Sequence, residues 1–417
     1  MPSPEPTDGP GGGPGGGRGG DPDMEGVISA LRRQLRPEPY RVLGRLDADV
    51  VFDAGDDGAC TLVVRAGRVE VRPGRGLTAT TTVRGDIGAL DQIARGALSG
   101  VGAFLDDQIR VSGNLALALE LDGIFDLPDR PDRFPRAELA EPAGVRTRYL
   151  DAGPPDAPVV VALHGLGATN ASMLPTVWDL ATDYRVLAPD LPGHGASSAP
   201  RVAYDAAFFA RWLTALLDEA GVDRAVVIGN SLGGRISLEI ALRAPDRVRG
   251  LVLLAPAVAF RRLRQLVPAV RLLRPELARL PLPITTAMAE AGLRTMFAHP
   301  ERLSHLASQA ASEEFVRVFR RRDHRVAFFS ALREIYLDDP FGADGFWRRL
   351  PSLEAPSLFV WGRRDRLVPA AFARHVAAAL PAARTVVLED CGHVPQFEMA
   401  EETAKIIRTF LSELPPV

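Results

Sequence analysis

The chain of 417 residues has little cysteine, almost no lysine, few aromatic residues and no long apolar run. Each shortage excludes something. Its two cysteines, Cys60 and Cys391, lie far apart and match no metal-ligand spacing, which argues against a disulfide scaffold and a zinc site and fits a reducing compartment. Lys405 is the only lysine beside 48 arginines, and with the abundance of Ala, Gly and Pro this reads as coding bias and not as a binding signal. A formal net charge of −3 excludes a strongly basic nucleic-acid binder, so no nucleic-acid partner is expected. No stretch approaches the ~18 consecutive apolar residues of a membrane-spanning helix. What is present is 46% hydrophobic residues in a chain long enough for two or three domains, each with its own core.

Residues 1–23 are almost all Gly, Pro and acid, have nothing to bury, and are expected to form a disordered tail. They lack the basic start and apolar centre of a secretory signal, so a cytoplasmic location is the expectation. Order is expected from Met24. Val27, Ile28, Leu31 and Leu35 recur at helical spacing over Glu25–Arg36, and Pro37 stops the helix. Strands are expected at Arg45–Asp53, Thr61–Arg65, Arg68–Arg72, Thr78–Arg84 and Ile109–Ser112, with a helix capped by Asp86 and ended at Gly96. The segment Asn114–Phe125 alternates leucine like a strand. Its length and the Asn114 cap favour a helix that is apolar nearly all round, hence buried or lining a cavity.

This order of elements, with TTVRGDIGALDQIARG and AFLDDQIRVSGNLALALELDGIF within residues 81–125, resembles a sterol-carrier-protein type 2 domain over residues 24–130. The resemblance implies a small α+β unit enclosing an apolar tunnel for acyl chains or sterols. A filled core would give the same apolar faces. Residues 131–144, rich in Pro and charge, are expected to be a linker.

From Val145 to the end at 417, strands alternate with helices. Val159–Leu163, Ala225–Ile228 and Leu251–Leu254 are pure apolar runs, as central parallel strands covered on both faces require. Further strands are expected at Arg185–Ala188, Ser357–Trp361 and Thr385–Leu388, which together make an α/β parallel sheet.

Gly229-Asn230-Ser231-Leu232-Gly233 follows one of these strands and opens a helix. A serine on so tight a turn is exposed above the sheet, and the flanking glycines let the backbone turn sharply. Serine needs a base held by an acid. Among seven histidines, His393 in CGHVPQFE follows the last expected strand at the sheet end where the serine lies, whereas His375 falls inside a helix. Asp365 in WGRRDRLVP also follows a strand. Ala255-Pro256-Ala257, the other loop where an acid would serve, has no carboxylate. The N–H groups of Leu232 and of Leu166, in the loop His164-Gly165-Leu166-Gly167, are the candidate oxyanion donors.

HGLG at 164–167, DLPGHGASS at 190–198, GNSLGG at 229–234, WGRRDRLVP and CGHVPQFE make residues 145–415 resemble the α/β-hydrolase superfamily. The resemblance implies an α/β-hydrolase fold with catalytic Ser231, Asp365 and His393. A helical cap is expected at about 256–346. In it Phe260–Leu280 mixes leucines with Arg261, Arg262, Arg264, Arg271, Arg274 and Arg279. This is either a basic amphipathic face that meets acidic lipid or an apolar stripe packed over the site, the second being favoured. The expected function is hydrolysis of an ester or thioester of a lipid-like small molecule, with no cofactor and no metal. A carbon–carbon bond hydrolase of aromatic degradation and a non-catalytic lipid carrier are the alternatives. The oligomeric state is not legible.

Overall fold

In the computed structural model of the chain, residues 21–35, 40, 42, 46–121, 125, 131–258, 267–280 and 282–415 are described. Residues 1–20 of the expected tail, and 122–124 and 126–130 near the end of the first unit, lie outside them.

Asp23 caps α1 (Met24–Gln34) by accepting from Gly26 N, and Val27, Ile28 and Leu31 form its buried stripe. The chain then runs through β1 (Ala48–Asp53), β2 (Ala59–Arg65), β3 (Arg68–Pro73) and β4 (Thr81–Gly85). Next come α2 (Ile87–Ala94), α3 (Gly100–Leu105), β5 (Ile109–Gly113) and α4 (Leu115–Glu120). The five strands form one sheet in the order β3-β2-β1-β4-β5, antiparallel except for the parallel pair β1–β4. One sheet face packs Phe52, Leu62 and Val83 against the apolar sides of α1 and α2. The six-residue α4 buries Leu115, Leu117, Leu119 and Glu120, so it is covered nearly all round, as its composition demands. Residues 122–124 of the helix expected over 114–125 lie outside the described residues. A cleft of about 530 Å³ in this unit is lined by Arg84, Asp107, Gln108 and Arg110 among others, and is not the apolar tunnel of the resemblance.

The segment read as a linker, 131–144, contains β6 (Arg136–Ala140), an outer strand of the second sheet. Its charged outward residues, Arg136 and Glu138, suit an edge and mask the strand pattern. It pairs antiparallel with β7 (Thr147–Ala152). The remaining order is β8 (Val159–Leu163), α5 (Leu174–Leu180), β9 (Arg185–Pro189), α6 (Ala206–Glu219), β10 (Ala225–Asn230), α7 (Leu232–Arg243) and β11 (Val248–Leu254). The insertion follows, with α8 (Val267–Leu272), α9 (Thr286–Arg294), α10 (His305–Phe319) and α11 (Arg322–Leu337). The chain closes with α12 (Phe346–Arg349), β12 (Ser357–Gly362), α13 (Phe372–Ala379), β13 (Arg384–Leu388), α14 (Pro395–Glu398) and α15 (Ala400–Glu413).

The eight-stranded sheet has the order β13-β12-β11-β10-β8-β9-β7-β6, parallel from β13 to β9. Side chains alternate between its faces, so each apolar run feeds two cores. Leu163, Val227, Leu253 and Trp361 face Trp212 and Leu216 of α6 and Ile236 of α7. Ala162, Ile228, Val252 and Val360 face Val177 of α5 and Ile407 and Phe410 of α15. Unbroken apolar strands are therefore a consequence of double covering.

The first unit is packed onto the second. Val101 and Leu119 belong to the second unit's core, and Ala310 of α10 belongs to the first unit's. Gly113 N donates to Glu313 Oε2 at 2.7 Å, and Ser304 Oγ to Asp107 Oδ1 at 2.7 Å. Among the described residues no helix is long and apolar enough to cross a membrane.

Candidate active site

All the residues singled out from the sequence follow the C-terminal ends of parallel strands. Ser231 stands between β10 and α7 with φ 52° and ψ −113°, a conformation that L residues rarely adopt. The turn is held from both sides: Ser231 N donates to Leu254 O at 3.0 Å, and Ser231 O accepts from Ala257 N at 2.8 Å. Its glycines are there for space. A Cβ on Gly233 would overlap the carbonyl oxygen of Leu163 and lie 2.8 Å from that of His164. Gly165 lies beside the serine itself, since a Cβ there would be 3.3 Å from Ser231 Cβ. Ser231 and Leu166 are each partly exposed in an otherwise buried neighbourhood, and Leu232 is buried as the first residue of α7.

Asp365 and His393 are brought together. His393 Nδ1 lies 2.7 Å from Asp365 Oδ2, with side-chain exposures of 5% and 0%. Asp365 Oδ1 already accepts from Leu367 N at 2.8 Å and Val368 N at 2.9 Å. A carboxylate can only accept, so Nδ1 is the donor in this pair and Nε2 is the nitrogen left to face the serine turn. Two of the arginines beside Asp365 are engaged elsewhere: Arg363 with Glu389 and Arg364 with Asp390.

Two features join these loops that sequence reasoning had not singled out. Asn230 Nδ2 donates to both Leu254 O at 3.0 Å and His393 O at 3.1 Å, tying the serine turn to the histidine loop. Asn230 is visible in the motif, but its partner comes from 163 residues away. Met296 O, from the insertion, accepts from His393 N at 2.6 Å. Above the 164–167 loop, the insertion places a cluster of Phe315, Phe319, Phe328 and Phe329. A Cβ on Gly167 would lie 2.9 Å from the Phe328 ring and 3.1 Å from Phe315, so aromatic rings press directly on that loop.

The other buried histidines are structural. His164 Nδ1 donates to Gly165 O at 2.8 Å, and its Nε2 accepts from Leu191 N at 2.9 Å. Burial pushes its pKa down to about 4, and pushes those of His194 and His324 down to about 3. Neutral, they brace the loops under the site. His375 is exposed on α13. Among the described residues no group of three His, Cys, Asp or Glu side chains could hold a metal ion.

A serine at a strand-to-helix elbow, above a doubly covered parallel sheet and beside a buried acid–histidine pair, defines a class of fold. The sequence profile of the alpha/beta hydrolase fold matches residues 158–400, and the chain belongs to that family. Residues 29–126 match the SCP-2 sterol transfer family, which accounts for the first unit. The chain is 34% identical over 268 residues to the pimeloyl-[acyl-carrier protein] methyl ester esterase of Aromatoleum aromaticum, covering 60% of this chain and 96% of that one. It is 30% identical over 285 residues to the 2-hydroxymuconate semialdehyde hydrolase of Pseudomonas sp. (strain CF600), covering 65% and 92%. A solved membrane phospholipase A, described as a bacterial virulence factor, superposes with a TM-score of 0.56 at 28% identity, over 67% of this chain and 86% of that one.

Proposed function

We propose that the chain is a serine hydrolase that cleaves the carboxylic ester or thioester bond of an apolar, lipid-like molecule. The observation that carries the proposal is the buried Asp365–His393 pair at 2.7 Å, tied through Asn230 to the elbow that presents Ser231. In this reading Ser231 Oγ attacks the substrate carbonyl while His393 Nε2 takes its proton. Asp365 orients the imidazole and stabilises its charged form. The Leu166 and Leu232 N–H groups hold the oxyanion, with Leu232 at a helix start where the backbone field favours negative charge. The tetrahedral intermediate collapses, the leaving oxygen or sulfur takes the proton from His393, and the acyl group stays on Ser231. Water, deprotonated by His393, then releases the acid. The SCP-2 match supports a lipid-like substrate, with the first unit holding the apolar chain near the site.

The test is hydrolysis of 4-nitrophenyl esters from acetate to palmitate by the wild type and Ser231→Ala. The reading expects rates that rise with chain length in the wild type and fall at least about 10³-fold in the variant. Residual turnover equal to wild type would sink it. The resemblance to 2-hydroxymuconate semialdehyde hydrolase favours a second reading, carbon–carbon bond cleavage by the same residues. No ester turnover, with cleavage of a ring-opened dienoate, would select it.

A further inference from the structure

Of the twelve large apolar side chains exposed among the described residues, six fall between 272 and 288, in the insertion. The core of this patch is α8 and the 3₁₀ turn Pro275–Arg279, neither of which buries a single residue fully. Leu272 is 82% exposed, Leu273 60%, Leu277 66% and Leu280 67%. The segment is held by its main chain. From α11, Arg325 donates to Ala278 O at 2.8 Å and to Arg279 O at 3.1 Å. Arg333 of the same helix donates to Val270 O at 3.3 Å and Arg271 O at 3.1 Å. Anchoring through carbonyls leaves the leucines unused by the fold. A run of exposed leucines of this kind marks an interaction site.

Its chemistry selects the occupant. Residues 267–282 carry Arg271, Arg274 and Arg279 against one acid, Glu276, in a chain whose net charge is −3. There is no aromatic residue between 267 and 294, whereas the buried centres of protein interfaces are rich in Trp, Tyr and Phe. Leucines beside arginines, on a short helix and the 3₁₀ turn after it at the protein surface, fit a lipid–water boundary: the leucines enter the acyl region and the arginines meet anionic headgroups.

We propose that residues 267–280 dock the protein onto an anionic lipid surface. The inference deepens the lipid-ester reading and rests on that reading for its purpose, since docking brings the insertion to where such a substrate resides.

Its test needs no hydrolysis. The full chain is sedimented with phosphatidylcholine vesicles with and without phosphatidylglycerol, beside Leu272→Ser/Leu273→Ser and Arg271→Glu/Arg274→Glu. Circular dichroism and the urea unfolding midpoint serve as controls for folding. The wild type is expected to co-sediment with the anionic vesicles, and each double variant to partition at least about tenfold less. Equal partitioning of wild type and both variants, or none by the wild type, overturns the proposal. So does light scattering that shows a wild-type dimer converted to monomer by the leucine variant, because a second copy would then cover the patch. Vesicle binding without ester turnover would leave the docking surface standing and remove the esterase reading; the converse would do the opposite.

Discussion

At the scale of single residues, the site is organised by what has been left out. Gly165, Gly167 and Gly233 each occupy a place where a methyl group meets either Ser231, an aromatic ring or a neighbouring carbonyl. Gly233→Ala forces α7 away from the β8 loop, and rigid backbone offers no rotamer to give way. We expect it to cost at least about 2 kcal/mol, read as a lower urea midpoint at unchanged slope. A wild-type midpoint in this variant would mean that the elbow is looser than its contacts. The residues of this turn were legible from the sequence because serine, glycines and the apolar run before them are all local. The double hydrogen bond of Asn230 was not, since its second acceptor comes from the far end of the chain. Asp365 could be singled out as an acid after a strand, but only the structure shows Arg363 and Arg364 turned to other partners.

At the scale of elements, α7 is more than the helix that follows the serine. Arg235 and Glu239 are both buried on it, and Arg235 Nη1 lies 2.8 Å from Glu239 Oε2. Asp338, just past α11, takes Arg235 Nε at 2.8 Å, and Arg349 of α12 reaches Glu239 at 2.9 Å. This network ties the insertion to the helix behind the elbow. Burial alone would raise the Glu239 pKa. Hydrogen bonds from Arg349, Arg235 and Arg243 outweigh it and hold the carboxyl at about 2. Its folded value is below the unfolded one of about 4.5, so its contribution is complete above that value and is lost as the pH falls towards 2. Glu239→Ala leaves the buried Arg235 guanidinium with Asp338 as its remaining acid and is expected to cost about 3 kcal/mol at neutral pH. The deficit should shrink on acidification; a deficit constant from pH 7 to pH 2.5 would contradict the charge assignment. The strands β8 and β10 were legible as unbroken apolar runs and α1 by its helical period. Two others were not: β6 hides behind edge charges, and α3, GVGAFL, carries two glycines that weaken any helical pattern.

At the scale of the molecule, the two units meet around a buried carboxylate. Glu120 of α4 forms an ion pair with Arg148 of β7, whose Nη2 also donates to Val42 O at 2.9 Å. Asp190 and Arg317 are near enough to act on the same carboxyl. Burial pushes the Glu120 pKa up to about 7, against the pull of Arg148. Here the sign is reversed. The folded state holds the proton more tightly than the unfolded chain, so the contribution is complete below about 4.5 and is lost as the pH rises through about 7. Glu120→Gln keeps the shape and removes the titration. The wild type should therefore gain about 3 kcal/mol relative to the variant between pH 7.5 and pH 4.5, measured by urea unfolding at each pH. A difference independent of pH would show that the carboxyl stays charged throughout. None of this junction could be read from the sequence, because Glu120, Arg148 and Arg317 carry no shared pattern and meet only through the packing of separate elements.

The helix α10 belongs to two compartments at once. Ala310 is part of the core of the first unit and Glu313 takes a backbone N–H from its β5, while Phe315 presses on the loop beside Ser231. A party wall cannot be rebuilt from one side only. A chimera that exchanged residues 1–130 for another carrier module would leave α10 shaped for a neighbour no longer there. A workable exchange has to move the outward face of α10 together with the module, even though residues 131–304 of the chain separate them.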